Sequence, residues 1–513
     1  MEFKVLTCEL TGFLKKEGYM TETCDFDRIF SPDSIAIVGV SPNPGFGFGR
    51  GMFYSFLEMG FAGRIYPVNP KGGTIEGLRI YKTVDEIPEE IDFAIIAVAA
   101  HRVPEALETC RKKGAAGAEI LSAGFREVDT PEGIALEEEI KRIARKGIRV
   151  IGPNCFGIYC PESGLTLLPG PDLSRERGPV AFLSQSGGMS IDFAQIGKWM
   201  GVKFSKVVSF GNGADLRETE LLEYLRDDSD TEVITMYVEG VENGREFFDV
   251  LRSAAERKPV IVYKGGLSSS GKRAVASHTA SMGGSGTIWE SALRQCNAIQ
   301  VGGIMKMAQT SLAFSLLPHK IYKGIAVMGV GGALGVNACD IAEPLGLEIP
   351  RLKEEIQDRI TSILPRPGSS AGNPIDVANP LVPAQILKET LLLAAGDEKI
   401  DLLIMIQLLY HYKAVARGLG VDSIKDVAPH NELADGSREV VDVTGKPVIV
   451  VLPNIKQEIE SMDIEEVMRE ARKAFLNRGI PVFDDIEDAL EAVSHVSDYC
   501  RRRHATLLRE VAS

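Results

Sequence analysis

His278 stands in Ala276-Ser277-His278-Thr279-Ala280-Ser281-Met282-Gly283-Gly284, within a stretch, Gly265–Gly286, where 15 of 22 residues are Gly, Ser or Ala. Imidazole supplies a nitrogen nucleophile near neutral pH, and small neighbours let an anion such as phosphate approach it without steric hindrance. The stretch reads as a loop long enough to be functional. His101, His319, His411, His430, His495 and His504 have no comparable setting. A histidine used this way needs a carboxylate to fix its tautomer and raise its basicity, and Glu239, directly after the strand-like run ending at Val238, is the candidate.

A second constellation is Ser184-Gln185-Ser186-Gly187-Gly188. It follows the strand Val180–Leu183 and precedes a helix whose apolar residues Met189, Phe193, Ile196 and Met200 recur at helical spacing. Free N–H groups and the helix dipole then point at one spot, and glycine lets an oxyanion reach the backbone. An ordinary N-cap explains the serine equally well. Ser186 is no hydrolase elbow, since G-x-S-x-G needs glycine at 184. In a parallel sheet the ends before Ser184, Glu239 and Gly265 share one edge, so these segments are expected around one crevice.

The third constellation is the turn Gly39-Val40-Ser41-Pro42-Asn43-Pro44-Gly45-Phe46-Gly47-Phe48-Gly49, between a strand at 34–38 and a helix. Its backbone suits a pyrophosphate, although it lacks a strict G-x-G-x-x-G. Where an NAD-binding fold places an acid at the end of the second strand, this chain has Val68-Asn69-Pro70-Lys71. A lysine there favours phosphate and disfavours NAD. Cys155 and Cys160 alone make a weak zinc signal, and no His or Cys pair shows further metal-ligand spacing.

Strand-like runs alternating with helical patterns from Ser34 to about Ala492 predict an α/β protein with parallel sheets. Three strands each lead into a Gly-rich turn and an amphipathic run, at Ile35–Gly39, Val180–Ser184 and Ile325–Gly329. They predict domains over about 28–160, 175–310 and 320–505, the division that 513 residues favour. Residues 1–27 read as an arm and His411–Thr444 as a loop-rich insertion. With 57 Lys and Arg against 71 Asp and Glu the net charge is −14, which disfavours nucleic acid as a partner. The longest purely apolar stretch, Phe93–Ala100, is far shorter than the roughly 20 residues that span a bilayer, so no membrane association is expected. An N-terminus without a signal-like apolar block and eight dispersed cysteines suggest a reducing cytoplasm.

Taken together, IAIVGVSPNPGFGFG (35–49), IYPVNPKGG (65–73), IGPNCFG (151–157), FLSQSGG (182–188), VEGVENG (238–244) and SHTASMGG (277–284) resemble the nucleoside-diphosphate-forming acyl-CoA synthetase family. The similarity spans about 28–505 and is greatest to α subunits of ADP-forming acetyl-CoA synthetase. It implies a Rossmann-like CoA-binding domain followed by two flavodoxin-like domains, the first of them carrying the phosphohistidine. By the same resemblance His278 is the transiently phosphorylated histidine, Glu239 orients it, and Ser184, Gln185, Ser186, Gly187 and Gly188 hold the phosphoryl group. Gly39, Ser41, Pro42, Asn43, Pro44 and Lys71, with Leu121, Ser122 and Ala123, stand at contacts to coenzyme A. The reaction implied is acyl-CoA + ADP + phosphate ⇌ carboxylic acid + CoA + ATP, with Mg²⁺ accompanying the nucleotide. Three domains leave no room for the family's ATP-grasp domain, so a β-type partner chain and a hetero-oligomer are expected. Ala280 replaces a glycine common in the family. Ile191 stands where succinate-specific members have tyrosine, which argues against succinate. A CoA-responsive regulator, or a carbamoyl- or acyl-transferring protein on the same scaffold, are the alternatives.

Overall fold

The computed structural model describes residues 25–45, 47–167, 172–279 and 285–512, with the main chain alone at 276–279, 507 and 509–512. Residues 1–24, including most of the expected arm, lie outside it, as do 280–284.

Three sheets follow one another along the chain. The first has the order β2-β1-β3-β4-β5, from Ser34–Val38 (β1), Arg64–Val68 (β2), Phe93–Ile96 (β3), Gly117–Ile120 (β4) and Arg149–Ile151 (β5), all parallel. β3 and β4 are buried along their whole length, as expected of strands covered on both faces. The helix after β1, α1 (Phe48–Met59), buries Met52, Phe53, Phe56 and Met59 at helical spacing and ends at Gly60, whose φ of 78° suits only glycine well.

The second sheet has the order β11-β10-β9-β7-β8-β6, from Gly157–Tyr159 (β6), Arg177–Ser184 (β7), Phe204–Ser209 (β8), Val233–Val238 (β9), Val260–Lys264 (β10) and Ile299–Gln300 (β11). β6 is antiparallel to β8 and is contributed by a segment expected to close the first unit. Three helices of this sheet matter for the site: α2 (Gly187–Met200), α3 (Ser269–Thr279) and α4 (Gly286–Gln295). The third sheet, β13-β12-β14-β15-β16, is all parallel: Ile325–Gly329 (β12), Ile375–Asp376 (β13), Leu402–Ile406 (β14), Val448–Val451 (β15) and Val482–Phe483 (β16).

Two expectations need correction. The 411–444 segment is not loop-rich: it forms the helices Tyr412–Leu419 and His430–Thr444. Leu433, Ala434, Ser437 and Val440 make a buried stripe at helical spacing, diluted in sequence by the polar residues between them. Nor is Gly265–Gly286 one long loop, because 269–279 is helical. The Ser268 hydroxyl accepts from Gly271 N–H at 3.0 Å, an N-cap, and the helix-favouring Lys272, Arg273 and Ala274 follow it.

The first two sheets are locked edge to edge. Asp215, beyond β8, accepts from Arg149 Nε and Val150 N, both at 2.8 Å, and Leu216 N donates to Val150 O at 3.0 Å. Glu119 on β4, 1% exposed, accepts from Ile158 N on β6 at 3.1 Å, while its Oε1 has no partner. Burial pushes this carboxyl up to about 8. Folded protein therefore keeps it protonated at neutral pH, whereas the unfolded chain ionises it above about 4.3, so its contribution to stability falls as pH rises from about 4.3 to about 8. Glu119→Gln retains the acceptor without the charge. Urea unfolding is expected to show the variant more stable at pH 7, on the order of 3 to 4 kcal/mol, with the gap closing near pH 4. A gap unchanged between these pH values would contradict this account.

The second and third sheets share one apolar cluster, running from Phe182 and Phe193 through Leu312 and Tyr499 to Ile325, Ile404 and Val451. The C-terminal helix Ile486–Ala512 bridges them: Tyr499 Oη donates to Ala255 O at 2.9 Å, and Asp488 accepts from Lys306 Nζ at 2.9 Å.

Candidate active site

At the carboxyl edge of the second sheet, β7 ends at Ser184, and Ser186 caps α2 by accepting from Met189 N at 3.4 Å. That bond satisfies one first-turn donor. The N–H groups of Gly187 and Gly188 have no acceptor among the described residues, which leaves the anion-binding character of a helix start intact. A Cβ on Gly187 would come within 2.9 Å of the Phe156 ring, so glycine there is required by packing. At Gly188 a Cβ would meet only Ser186 Oγ, at 3.9 Å, so that side is open to a ligand.

Two residues expected at the phosphate are otherwise engaged. The fully buried Ser184 Oγ donates to Ser186 O at 2.7 Å and accepts from Ser186 N at 3.2 Å, shaping the turn. Gln185 reaches across to the next strand: its Oε1 accepts from Glu239 N and, at 3.1 Å, from Gly240 N, and its Nε2 donates to Gly240 O at 3.0 Å. Ser184 and Gln185 are therefore clamps, because β7 and β9 are hydrogen-bonded neighbours and their end loops must be held together.

The clamp brings Glu239 to the same edge. It is 7% exposed, and its Oε1 accepts from Tyr237 Oη at 3.0 Å. Its Oε2 is buried without a partner. A buried, unsatisfied carboxylate oxygen is costly unless it has a use, and an imidazole N–H is a fitting complement. Burial, then the nearby Glu239, raises the Tyr237 hydroxyl, which keeps it a donor. His278 belongs to the last turn of α3, and its side chain lies outside the described residues.

Sequence reasoning missed Lys264, the last residue of β10. It is 2% exposed, donates to Glu239 O at 2.8 Å and to Gly265 O, and lies 5.2 Å from the Trp289 ring. A lysine closing an apolar strand reads as a solvated end, and no local pattern marked it as buried.

On the first sheet the segments expected at a cofactor also share one edge. Gly39 N donates to Val68 O at 2.9 Å, and a Cβ on Gly39, at φ 113°, would come within 2.3 Å of Ala97 O. Close backbone packing therefore accounts for this glycine without a ligand. Ser41 Oγ makes a local turn with Asn43, and a Cβ on Gly73 would come 3.3 Å from Pro42, so the loop carrying Pro42, Asn43 and Pro44 and the turn carrying Lys71 are neighbours. Lys71 is exposed, its N–H bonded to Asn69 Oδ1 at 3.0 Å, with its side chain available at the rim. Leu121 is buried, Ser122 Oγ donates to Val98 O and Ser122 O accepts from Asn154 N at 2.9 Å, so of Leu121, Ser122 and Ala123 the first two serve packing. Arg50 was missed. Its guanidinium donates to Ser41 O at 3.0 Å and to Tyr54 Oη at 2.9 Å, placing a cation beside the same turn.

The two edges are joined at Asn212, whose Nδ2 donates to Glu127 Oε2 at 2.6 Å and Glu137 Oε2 at 3.0 Å, and whose N–H donates to Pro153 O at 3.0 Å. Phe156 N–H donates to Ser209 Oγ at 3.0 Å, which sets that ring over the start of α2. Among the described residues no group of three or more His, Cys, Asp or Glu is placed to hold a metal ion, and no helix is long and apolar enough to cross a membrane.

Known proteins resemble this chain in sequence and in fold. A CoA-binding domain model matches residues 33–161, and a succinyl-CoA ligase-like flavodoxin domain model matches 177–314. The α subunit of ADP-forming acetate–CoA ligase II of Pyrococcus furiosus is 34% identical over 474 residues, covering 91% of this chain and 96% of the relative. ADP-forming acetate–CoA ligase I of Archaeoglobus fulgidus is 37% identical over 381 residues, covering 74% of this chain; the match spans 54% of that relative's length. The structure of dinucleotide-forming acetyl-coenzyme A synthetase 1 of Ca. Korarchaeum cryptofilum, in complex with phosphate and ADP, superposes with a TM-score of 0.77 at 30% identity, over 94% of this chain and 99% of that one. The chain belongs to the ADP-forming acyl-CoA synthetases and is similar along nearly its whole length to an α subunit of that family.

Proposed function

We propose that the chain is the α-type subunit of an ADP-forming acyl-CoA synthetase, catalysing acyl-CoA + ADP + phosphate ⇌ carboxylic acid + CoA + ATP. The observation that carries this reading is one crevice holding a free helix start at Gly187 and Gly188 beside a buried carboxylate, Glu239, with one oxygen unpartnered. CoA would lie along the first sheet's edge, its phosphates near Lys71 and Arg50. A phosphate oxygen attacks the thioester carbonyl, the carbon–sulfur bond breaks, and the thiolate leaves to take up a proton. The acyl phosphate then meets His278. The imidazole nitrogen bonds to phosphorus as the bond to the carboxylate oxygen breaks, releasing the acid, while the Gly187 and Gly188 N–H groups stabilise the phosphoryl oxygens and Glu239 holds the opposite imidazole N–H.

Transfer of the phosphoryl group to ADP would take place on an ATP-grasp β-type chain in a hetero-oligomer, and Mg²⁺ would accompany the nucleotide there, screening its phosphate charge. The naming of the Pyrococcus relative as an α subunit supports such a partner. Six described cysteines without disulfides support a reducing cytoplasm.

Incubating the chain with radiolabelled phosphate and a panel of acyl-CoA thioesters tests the reading. One acid-labile, alkali-stable phosphoryl group per chain is expected, dependent on the thioester and discharged by ADP only when a partner chain is present. CoA binding with no label from any thioester would instead favour a regulator.

A further inference from the structure

The reaction proposed above makes no use of Lys264, whose buried ammonium has three partners. The first is the main-chain oxygen of Glu239, the carboxylate residue of the crevice. The second, Gly265, opens the segment that carries His278. The third, Trp289, lies in the first half of α4, the helix that follows that segment. One cation thus ties both ends of the histidine segment to the residue that must meet the histidine.

Burying an ammonium is costly, and two carbonyls and an aromatic face compensate it only in part. A methionine would fill a similar volume with no charge to desolvate, so packing alone does not explain a lysine at this point.

Resting on the function proposed above, we propose that Lys264 is a positioning residue for phosphoryl transfer, its ammonium holding the Glu239 main chain and both ends of the His278 segment in register. Burial lowers this ammonium to about 8; attraction to Glu239 opposes the shift and repulsion from Lys272 on α3 adds to it. The Tyr237 hydroxyl, bonded to Glu239, is the other titratable group at the contact and stays protonated in this range. As pH rises through about 8 the ammonium becomes an amine, the contact with the Trp289 ring is lost and the ties weaken. Global stability from this group moves the other way. The unfolded lysine titrates near 10.4, so between about 8 and 10.4 the unfolded chain binds the extra proton and the folded state gains. Loss of segment order in that window is then local and not the onset of unfolding.

The test uses the full chain, Lys264→Arg and Lys264→Met, from pH 6.5 to 9.5. Two quantities are followed: the rate of labelling from radiolabelled phosphate and whichever thioester of the panel labels fastest, and hydrogen exchange of peptides within 265–279, corrected for intrinsic rates. In the parent chain the labelling rate and the protection are each expected to fall about tenfold with a midpoint near 8. Lys264→Met should start about tenfold low at pH 7 and stay flat, and Lys264→Arg, which keeps its charge in a different shape, should retain more rate and protection than Lys264→Met at pH 7 and lose the limb. Parent-like rate and protection in Lys264→Met at pH 7, or a limb near 8 that survives in Lys264→Arg, would overturn the proposal. If Lys264→Met does not fold, the parent titration and Lys264→Arg still decide it. A parent chain that takes no label from any thioester of the panel overturns the proposed reaction instead, and the exchange measurement, which needs no turnover, then reports on the Lys264 ties alone.

Discussion

Complete loss of acid-labile phosphate, at least about a 10³-fold drop in labelling, is the expected result of His278→Ala. Among the described residues at the crevice, the Lys264 nitrogen is committed to two carbonyls and the Gln185 amide to Glu239 and Gly240, which leaves neither as a substitute nucleophile. The substitution lies in the last turn of α3, where alanine is the better helix former, so the fold should be retained. CoA binding at the first sheet should therefore be unchanged, and its measurement separates loss of chemistry from loss of structure. Label persisting in this variant would remove His278 from the mechanism.

Glu239→Gln is expected to lower the rate of phosphorylation about 10²-fold. The amide oxygen still accepts from Tyr237 Oη, so the buried shell around β9 is preserved. What changes is the position of Oε2, the unpartnered oxygen, where an NH₂ donor now faces the imidazole N–H it is proposed to accept from. The negative charge that supports the cationic, phosphorylated imidazole is lost as well. Tyr237→Phe, which removes the hydroxyl and leaves the carboxylate charged, should cost far less. Single-turnover labelling of the three proteins checks this order, and equal rates for the parent and Glu239→Gln would show that the carboxylate does not act on the histidine.

How much of the site was legible depended on how local each signal was. Ser186, Gly187 and Gly188 were readable because a strand, two glycines and a helical stripe fall within about twenty consecutive residues, and strand order then implied that Glu239 shares their edge. The α/β class and the parallel arrangement followed from the same alternation. The Gly265–Gly286 segment misled because small residues favour loops in general, whereas Ser268 capping Gly271 and the helix formers after it outweighed that tendency. The 411–444 helices were hidden for a similar reason, since a buried stripe of four residues in fifteen, three of them apolar, is visible only once it has something to pack on.

Chain-distant partners were not legible at all. Gln185 finds the Glu239 and Gly240 backbone 54 and 55 residues away, and Lys264 finds Glu239 at a separation of 25. Asn212 meets Glu127 and Glu137 across 85 and 75 residues. The antiparallel β6 crosses from the span expected of the first unit into the second sheet.

By itself, then, the amino-acid sequence determined the layered α/β architecture, the turn with its two glycines before a helix and the residue types available at each strand end. Those rest on periodicity, propensity and glycine geometry, which act over a few residues. The tertiary structure alone decided which polar groups are already satisfied and which remain open, turning Ser184 and Gln185 into clamps, burying Lys264 beneath Glu239 and leaving one carboxylate oxygen without a partner. Burial and hydrogen-bond pairing belong to groups that meet only after the sheets have packed, so no local pattern in the chain encodes them.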